Sequence, residues 1–171
     1  MNETQVRPVA PGDEERVRAF VAGLSADTAA GRFFAPISPT GPTADALVRV
    51  MCAVDGRCDA LLAVRPRTGE VVGHAMGFRE SPDAPLEIAA VVADAWQGRG
   101  HGTRLVEELL ARADGVTGLR MDVRADARRV LAVIHARWPD ATTRMSGGVI
   151  EIAVRFAPVE TAEPGAVLVR V

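Results

Sequence analysis

Residues 85–114 read PLEIAAVVADAWQGRGHGTRLVEELLARAD, and their order decides the fold. Leu86–Ala93 is a short apolar run with one acidic residue, Glu87, near its start, and predicts a buried strand. Trp96-Gln97-Gly98-Arg99-Gly100-His101-Gly102 follows, with glycine at alternate positions from 98. Leu105, Val106, Leu109, Leu110 and Ala113 then recur at helical spacing, with Glu107, Glu108 and Arg112 on the other face. The order is strand, glycine-rich loop, helix. The first N–H groups of a helix lack internal acceptors and carry the positive end of its dipole. Glycine lets backbone approach a ligand closely. A pyrophosphate suits such a loop. The plainer alternative is a tight turn whose glycines serve packing alone.

Two phosphate motifs fail on inspection. A Walker loop ends in G-K-[ST], and this chain has no Lys. A dinucleotide fingerprint, G-x-G-x-x-G, started at Gly98 meets Thr103 in its sixth position. What stands here is Q-x-x-G-x-G, with Gln97, Gly100 and Gly102. This resembles the acyl-CoA pyrophosphate loop of the GNAT superfamily of N-acetyltransferases. Val91-Val92-Ala93-Asp94 before it is similar to that family's cofactor strand. The resemblance implies that Gln97, Gly98, Arg99, Gly100, His101, Gly102 and Thr103 hold the pyrophosphate. It also implies that the pantetheine arm pairs with the backbone of Val91, Val92 and Ala93.

The flanking sequence extends the pattern. Gln5–Val9 predicts a strand. Asp13 is a helix cap ahead of Glu14, Glu15, Val17, Phe20 and Val21. Ser25 caps a second short helix reaching about Phe34. Ala35–Thr43 is a loop carrying Pro36, Pro39 and Pro42, and a third helix starts at Thr43. Ala60–Arg65 and Val71–Arg79 flank a hairpin loop, with His74 read as a strand-surface residue. After the central helix come a strand at Leu119–Arg124, a helix capped by Asp126 and closed at Pro139, and a hairpin of Ala141–Ser146 with Val149–Phe156. That order matches the GNAT fold: a mixed, mostly antiparallel α/β sheet flanked by helices, its fourth and fifth strands splayed around the acyl-pantetheine arm. Residues 1–156 form the domain. Residues 157–171 are a C-terminal tail, or an added edge strand that seals the sheet or pairs two subunits as a homodimer.

A second segment, LSADTAAGRFF at Leu24–Phe34, resembles the LS-x-x-[TS]-x-x-x-RFF stretch of GNAT domains from bacterial protein-lysine acetyltransferases. It implies that this region covers the acceptor side. Phe33 and Phe34 could equally fill the core beneath a short helix.

Acetyl transfer to an amine needs a base, stabilisation of the oxygen that gains charge, and a way for the thiolate to leave. Glu87 is the first candidate base. Amid apolar neighbours a carboxyl is destabilised as the anion and becomes a usable base, directly or through water. Related lysine acetyltransferases carry Glu in an A-E-[VI]-A segment, which Leu86-Glu87-Ile88-Ala89 matches apart from Leu86. Asp122, in Met121-Asp122-Val123-Arg124-Ala125, is the second; some members of the family place Glu there in E-V-R-A. Many members use Tyr on the following helix as the acid. That position is Ile134 here, the family's Asn position is Ala127, and the chain contains no Tyr. His135 points about 100° away on the same helix.

The bulk properties close off other classes. The 171 residues suit one domain, and a net charge of −2 gives no basic excess for nucleic acid or an anionic membrane. No apolar run is long enough to span a bilayer and Met1–Arg7 lacks a signal-like apolar segment, so the cytoplasm is expected. Cys52 and Cys58 lack a zinc spacing, and no metal is expected. The expected function is acetyl-CoA-dependent N-acetyl transfer to a primary amine, on a protein lysine or a small molecule. The alternative is an acyl-CoA-binding sensor or interaction domain with weak or no turnover.

Overall fold

In the computed structural model, which describes residues 3–35 and 41–156, the apolar run at the centre forms β4 (Leu86–Val92). Before it come β1 (Gln5–Pro8), α1 (Glu14–Ala22), α2 (Ala26–Phe33), α3 (Pro42–Met51), β2 (Cys58–Val64) and β3 (Val71–Phe78). A 3-10 turn (Asp94–Trp96) links β4 to α4 (His101–Arg112), and then follow β5 (Gly118–Arg124), α5 (Arg128–Arg137), β6 (Thr142–Ser146) and β7 (Val149–Arg155). The proposed tail strand lies outside the described residues.

The seven strands form one sheet in the order β1-β2-β3-β4-β5-β7-β6. Every neighbouring pair is antiparallel except β4 and β5, which run parallel. That pair matches only Leu86 to Leu119 and Glu87 to Arg120. Beyond it β5 stays with β7 along its whole length, Gly118 to Arg124. Gly118 explains part of this: a Cβ there would lie 2.5 Å from the Val154 carbonyl oxygen, so only glycine allows so close an approach. The expected mixed sheet, splayed between its fourth and fifth strands, is what forms.

Each face of the sheet carries its own core. Leu105 and Leu109 of α4 and Ile134 of α5 pack with Leu61, Ala75, Leu86, Ile88, Leu119, Met121 and Val123. On the other face Val17, Phe20, Val48 and Met51 cover Leu62, Val64, Val71 and Val91.

Three local expectations are corrected. Asp13 stands at the start of α1 without capping it. Its buried carboxylate instead accepts from Arg7 at 2.6 and 2.8 Å, from Arg16 at 3.2 Å and from the Ala10 N–H at 2.9 Å. A bidentate guanidinium outcompetes one helix N–H for a carboxylate. Asp126 likewise leaves α5 uncapped, because its carboxylate pairs with Arg124. His74 is fully buried rather than on the surface, since β3 is covered on both faces, and its Nε2 meets the Met51 carbonyl oxygen at 2.8 Å.

These buried groups fix the response to acid. Burial pushes the His74 imidazole down to about 4, against roughly 6.5 for an unfolded histidine. The unfolded chain therefore takes up a proton first, and this part of the stability is present above pH ~6.5 and fades as pH falls toward 4. The Arg7 guanidinium holds the Asp13 carboxyl well below the usual carboxylate range. Its contribution is present above pH ~4 and is lost as pH falls further. Urea titrations at pH 7, 5 and 3 should show stability falling at each step. Asp13→Ala, which strands Arg7 beside a partly buried site, should cost about 3 kcal/mol at pH 7 and flatten the loss below pH ~4. An Asp13→Ala protein as stable as the parent would remove the pair from the fold's essential contacts.

Candidate functional site

The glycine-rich loop closes the open end of the fork between β4 and β5. Gly98 and Gly100 have φ of +72° and +81°, a region that side chains with Cβ seldom occupy, and nothing lies within 4 Å of either Cβ position. Helix α4 has no side-chain cap. Its internal bonding starts with the Arg104 N–H to Gly100 O at 3.0 Å. The N–H groups of His101, Gly102 and Thr103 precede that bond and have no intrahelical acceptor. The loop is therefore a set of backbone donors, open above, at the positive end of a helix.

The edge of β4 that faces the fork follows from register. The Ala93 N–H donates to Val72 O at 2.9 Å, one step beyond the Gly73 and Val92 pairing. Bonded pairs alternate along an antiparallel ladder. Ala89, Val91 and Ala93 thus turn their N–H groups to β3, and Ala90 and Val92 turn theirs to the gap. Of the stretch Val91–Ala93 named from sequence, Val92 alone opens to the gap. Ala90 was missed, and its signal is strand alternation counted from a known register.

Side chains of the loop do other work. Gln97 Nε2 donates to Val92 O at 3.0 Å and to Thr28 Oγ1 at 3.1 Å. Arg99 and Arg65 lie over the Trp96 ring at 5.2 and 5.6 Å. The His101 ring turns inward, its Nδ1 3.2 Å from Thr4 Oγ1, so only its backbone serves the loop.

The first turn of α2 is tied to the same place. The Asp94 carboxylate accepts from the Ser25 N–H at 3.1 Å, Ser25 Oγ at 2.7 Å and Thr28 Oγ1 at 2.7 Å. These bonds, led by Ser25 Oγ, lower its pKa. Ser25 also accepts from the Thr28 N–H and so caps α2 as expected. This is the physical content of the Leu24–Phe34 segment: its Ser and Thr dock α2 on the end of β4.

Both candidate bases line one open cleft together with the loop. Glu87 is exposed, not buried, which corrects the reason given for choosing it. Its neighbours Leu86 and Ile88 are buried on the opposite face, as strand alternation requires, and so cannot enclose it. Across the parallel pair it stands beside Arg120. Asp122, also exposed, is two residues further along β5, across the gap from Ala89. Ile134 is buried in the core yet lines the cleft, and Ala127 lines it as well. The two Phe of the second segment divide their roles. Phe33 packs on the core, and Phe34, at φ 55°, is exposed and lines the cleft. Cys52 and Cys58 are free thiols; burial pushes Cys52 up to about 11 and raises Cys58, which makes both unreactive. Among the described residues no group of three or more His, Cys, Asp or Glu is placed to hold a metal.

A sheet splayed between parallel β4 and β5, with a glycine-rich loop of free N–H groups at the fork, is the architecture that the loop motif suggested. The chain belongs to the acetyltransferase (GNAT) family, which residues 31–135 match. It is 31% identical over 164 residues to the acetyltransferase Pat of Mycolicibacterium smegmatis, covering 91% of this chain and 46% of that protein. The chain thus spans about half the length of that curated relative. The crystal structure of the GNAT domain of S. lividans PAT has a TM-score of 0.76 at 25% identity, covering 90% of each chain. A spermidine N-acetyltransferase from Vibrio cholerae, solved with CoA and spermine, shares the fold at 10% identity, with a TM-score of 0.66 and coverage of 90% of this chain and 95% of that one.

Gly100→Val puts a branched side chain at positive φ, in the open space above the loop. It should weaken acetyl-CoA binding at least about tenfold while leaving a folded protein that has lost roughly 1–3 kcal/mol. Calorimetric titration of both proteins checks this. Equal affinity in a folded variant would make the loop a packing turn.

Proposed function

We propose that this protein transfers the acetyl group of acetyl-CoA to a primary amine by direct attack, with Glu87 as the base and Asp122 as a supporting carboxylate. One observation carries the reading: the loop of free N–H groups and the outward-facing β4 backbone at Ala90 and Val92 border the same cleft as both carboxylates. The N–H donors of His101, Gly102 and Thr103 suit a pyrophosphate. Ala90 and Val92 would pair with the amides of the pantetheine arm, which supplies the missing strand in the gap. With the arm laid there, the thioester reaches the Ala89–Ala90 level of β4, close to the rows of Glu87 and Asp122.

The chemistry then needs little more. An alkylammonium with a pKa of about 10.4 must lose its proton to attack. Glu87, exposed on the acceptor face, receives that proton and passes it to solvent. A gap-facing β4 N–H not taken up by the arm's amides would stabilise charge developing on the thioester oxygen. The acceptor is a protein lysine or a small amine. The likeness of Leu24–Phe34 to the protein-lysine enzymes, and the relation to Pat, favour the protein lysine.

A second reading, an acyl-CoA-binding domain without turnover, draws on Ile134. Where the family resemblance puts a phenol, this cleft has a buried aliphatic side chain.

Thiol release from acetyl-CoA over a panel of lysine peptides and small amines separates the two. Glu87→Gln should lower kcat/KM by about 10²-fold and leave the acetyl-CoA Kd unchanged. Asp122→Asn should cost less. A larger loss in Asp122→Asn would move the base to that residue. Tight acetyl-CoA binding with no thiol release on any acceptor would establish the binding module.

A further inference from the structure

Arg32 is a partly buried cation in the cleft with no carboxylate partner among the described residues. It sits in the last turn of α2, whose first turn is fixed to β4 through Asp94. It lines the same cleft as Phe34, Val50 and Met76. Its Nε is buried and without a hydrogen-bond partner among the described residues, and its guanidinium lies 5.0 Å over the Phe33 ring. Arg124 pairs with Asp27 and Asp126, Arg144 with Glu151, and Arg137 with Glu107, while Arg120, Arg128 and Arg129 are exposed to solvent. No carboxylate among the described residues pairs with Arg32.

Its surroundings compound the cost. Burial alone pulls the Arg32 guanidinium down to about 10, so it remains charged at neutral pH. The nearby histidine is no help. His74 Nε2 meets a carbonyl oxygen and so carries the proton, its Nδ1 has no partner, and the Arg32 charge further disfavours its protonation. A desolvated cation without an anion is costly unless a ligand supplies one.

We infer that Arg32 recognises a carboxylate on the acceptor, so that the acceptor is a primary amine bearing a carboxylate within reach of its reacting nitrogen. The inference rests on the acetyl-CoA reading of the fork. It is separate from it in mechanism, because Arg32 is on the acceptor face and not in the loop. The spacing supports it. His74, Met76 and Phe78 follow one another on one face of β3, opposite Val91, Ala89 and Glu87 of β4. The row spans ~13 Å, with Arg32 near one end and Glu87 at the other. An amine held near Ala89 lies between them, and its carboxylate extends toward Arg32. A guanidinium matches a carboxylate with two parallel bonds, which makes Arg the residue for this task. Two sources present the same chemistry: a free ω-amino acid, or a lysine with an acidic residue beside it in a protein.

The test is calorimetric titration of the full chain saturated with CoA. The probes are 6-aminohexanoic acid against its neutral amide, and a lysine peptide with a neighbouring Glu against the same peptide with Gln. The parent should bind the acid or the Glu peptide at least about tenfold tighter than its neutral partner. Arg32→Gln should erase that ratio while keeping the acetyl-CoA Kd, and Arg32→Lys should retain part of it. Preference in the free pair identifies an amino-acid acceptor, and preference in the peptide pair an acidic protein site. Equal affinities in the parent, no binding of either acid, or a ratio that survives in Arg32→Gln would overturn the inference. If Arg32→Gln fails to fold, the parent ratios and Arg32→Lys decide. Failure of the parent to bind acetyl-CoA would overturn the reading of the fork instead.

Discussion

The fork between β4 and β5 is the constraint on which the rest depends. Two strands pair for a single step, Leu86 to Leu119 and Glu87 to Arg120, and then part. Parting leaves backbone donors and acceptors unpaired inside a sheet, where an exposed edge invites a further strand. The fold keeps the fork open by holding each strand on its other side. β4 is paired with β3 from Glu87 to Val92, and β5 with β7 from Gly118 to Arg124. At the closed end, Gly118 lies so close to the Val154 carbonyl that no Cβ would fit between β5 and β7. An extended ligand with amide groups is the natural third strand.

A small polar cluster joins the glycine-rich loop to α2. Asp94 collects Ser25 and Thr28, and Gln97 links Thr28 to Val92 O. These bonds tie the loop, the edge of β4 and α2 to one another. α2 in turn carries Arg32, Phe33 and Phe34 to the acceptor face. Phe34 sits at positive φ, which costs roughly 1–2 kcal/mol for a residue with a Cβ. Such strain persists where the surroundings hold it, and here the docked helix does so.

Periodicity and punctuation made most of the fold legible in the sequence. Strand, glycine loop and helix at 85–114 were readable because each has its own period and the glycines stand between them. The parts that were not readable are those set by register and by competition between partners. Glu87 looked buried because Leu86 and Ile88 flank it in the chain, yet alternation sends those neighbours to the opposite face. Ala90 carries no side-chain signal, and which backbone faces the gap depends on pairing with β3. Asp13 and Asp126 stand where caps stand, and local sequence cannot say that Arg7 and Arg124 claim them first. The burial of His74 and the unmatched charge of Arg32 arise from residues far apart in the chain.

The absence of tyrosine is less damaging than the resemblance alone implies. When an amine has added to a thioester, either the thiolate or the amine can be expelled. A thiol has a pKa of about 8.5 and an alkylammonium about 10.4. Once the nitrogen has lost its proton it could leave only as an amide anion, so the thiolate is by far the better leaving group. While the nitrogen keeps its proton, the neutral amine is a competent leaving group as well, and part of the intermediate reverts. Removing that proton decides the direction, and protonating the thiolate only adds speed. Under the proposed mechanism, a cleft with Glu87 and Asp122 on one face and Ile134 on the other would hold the group that forward transfer requires and lack only the one it can do without.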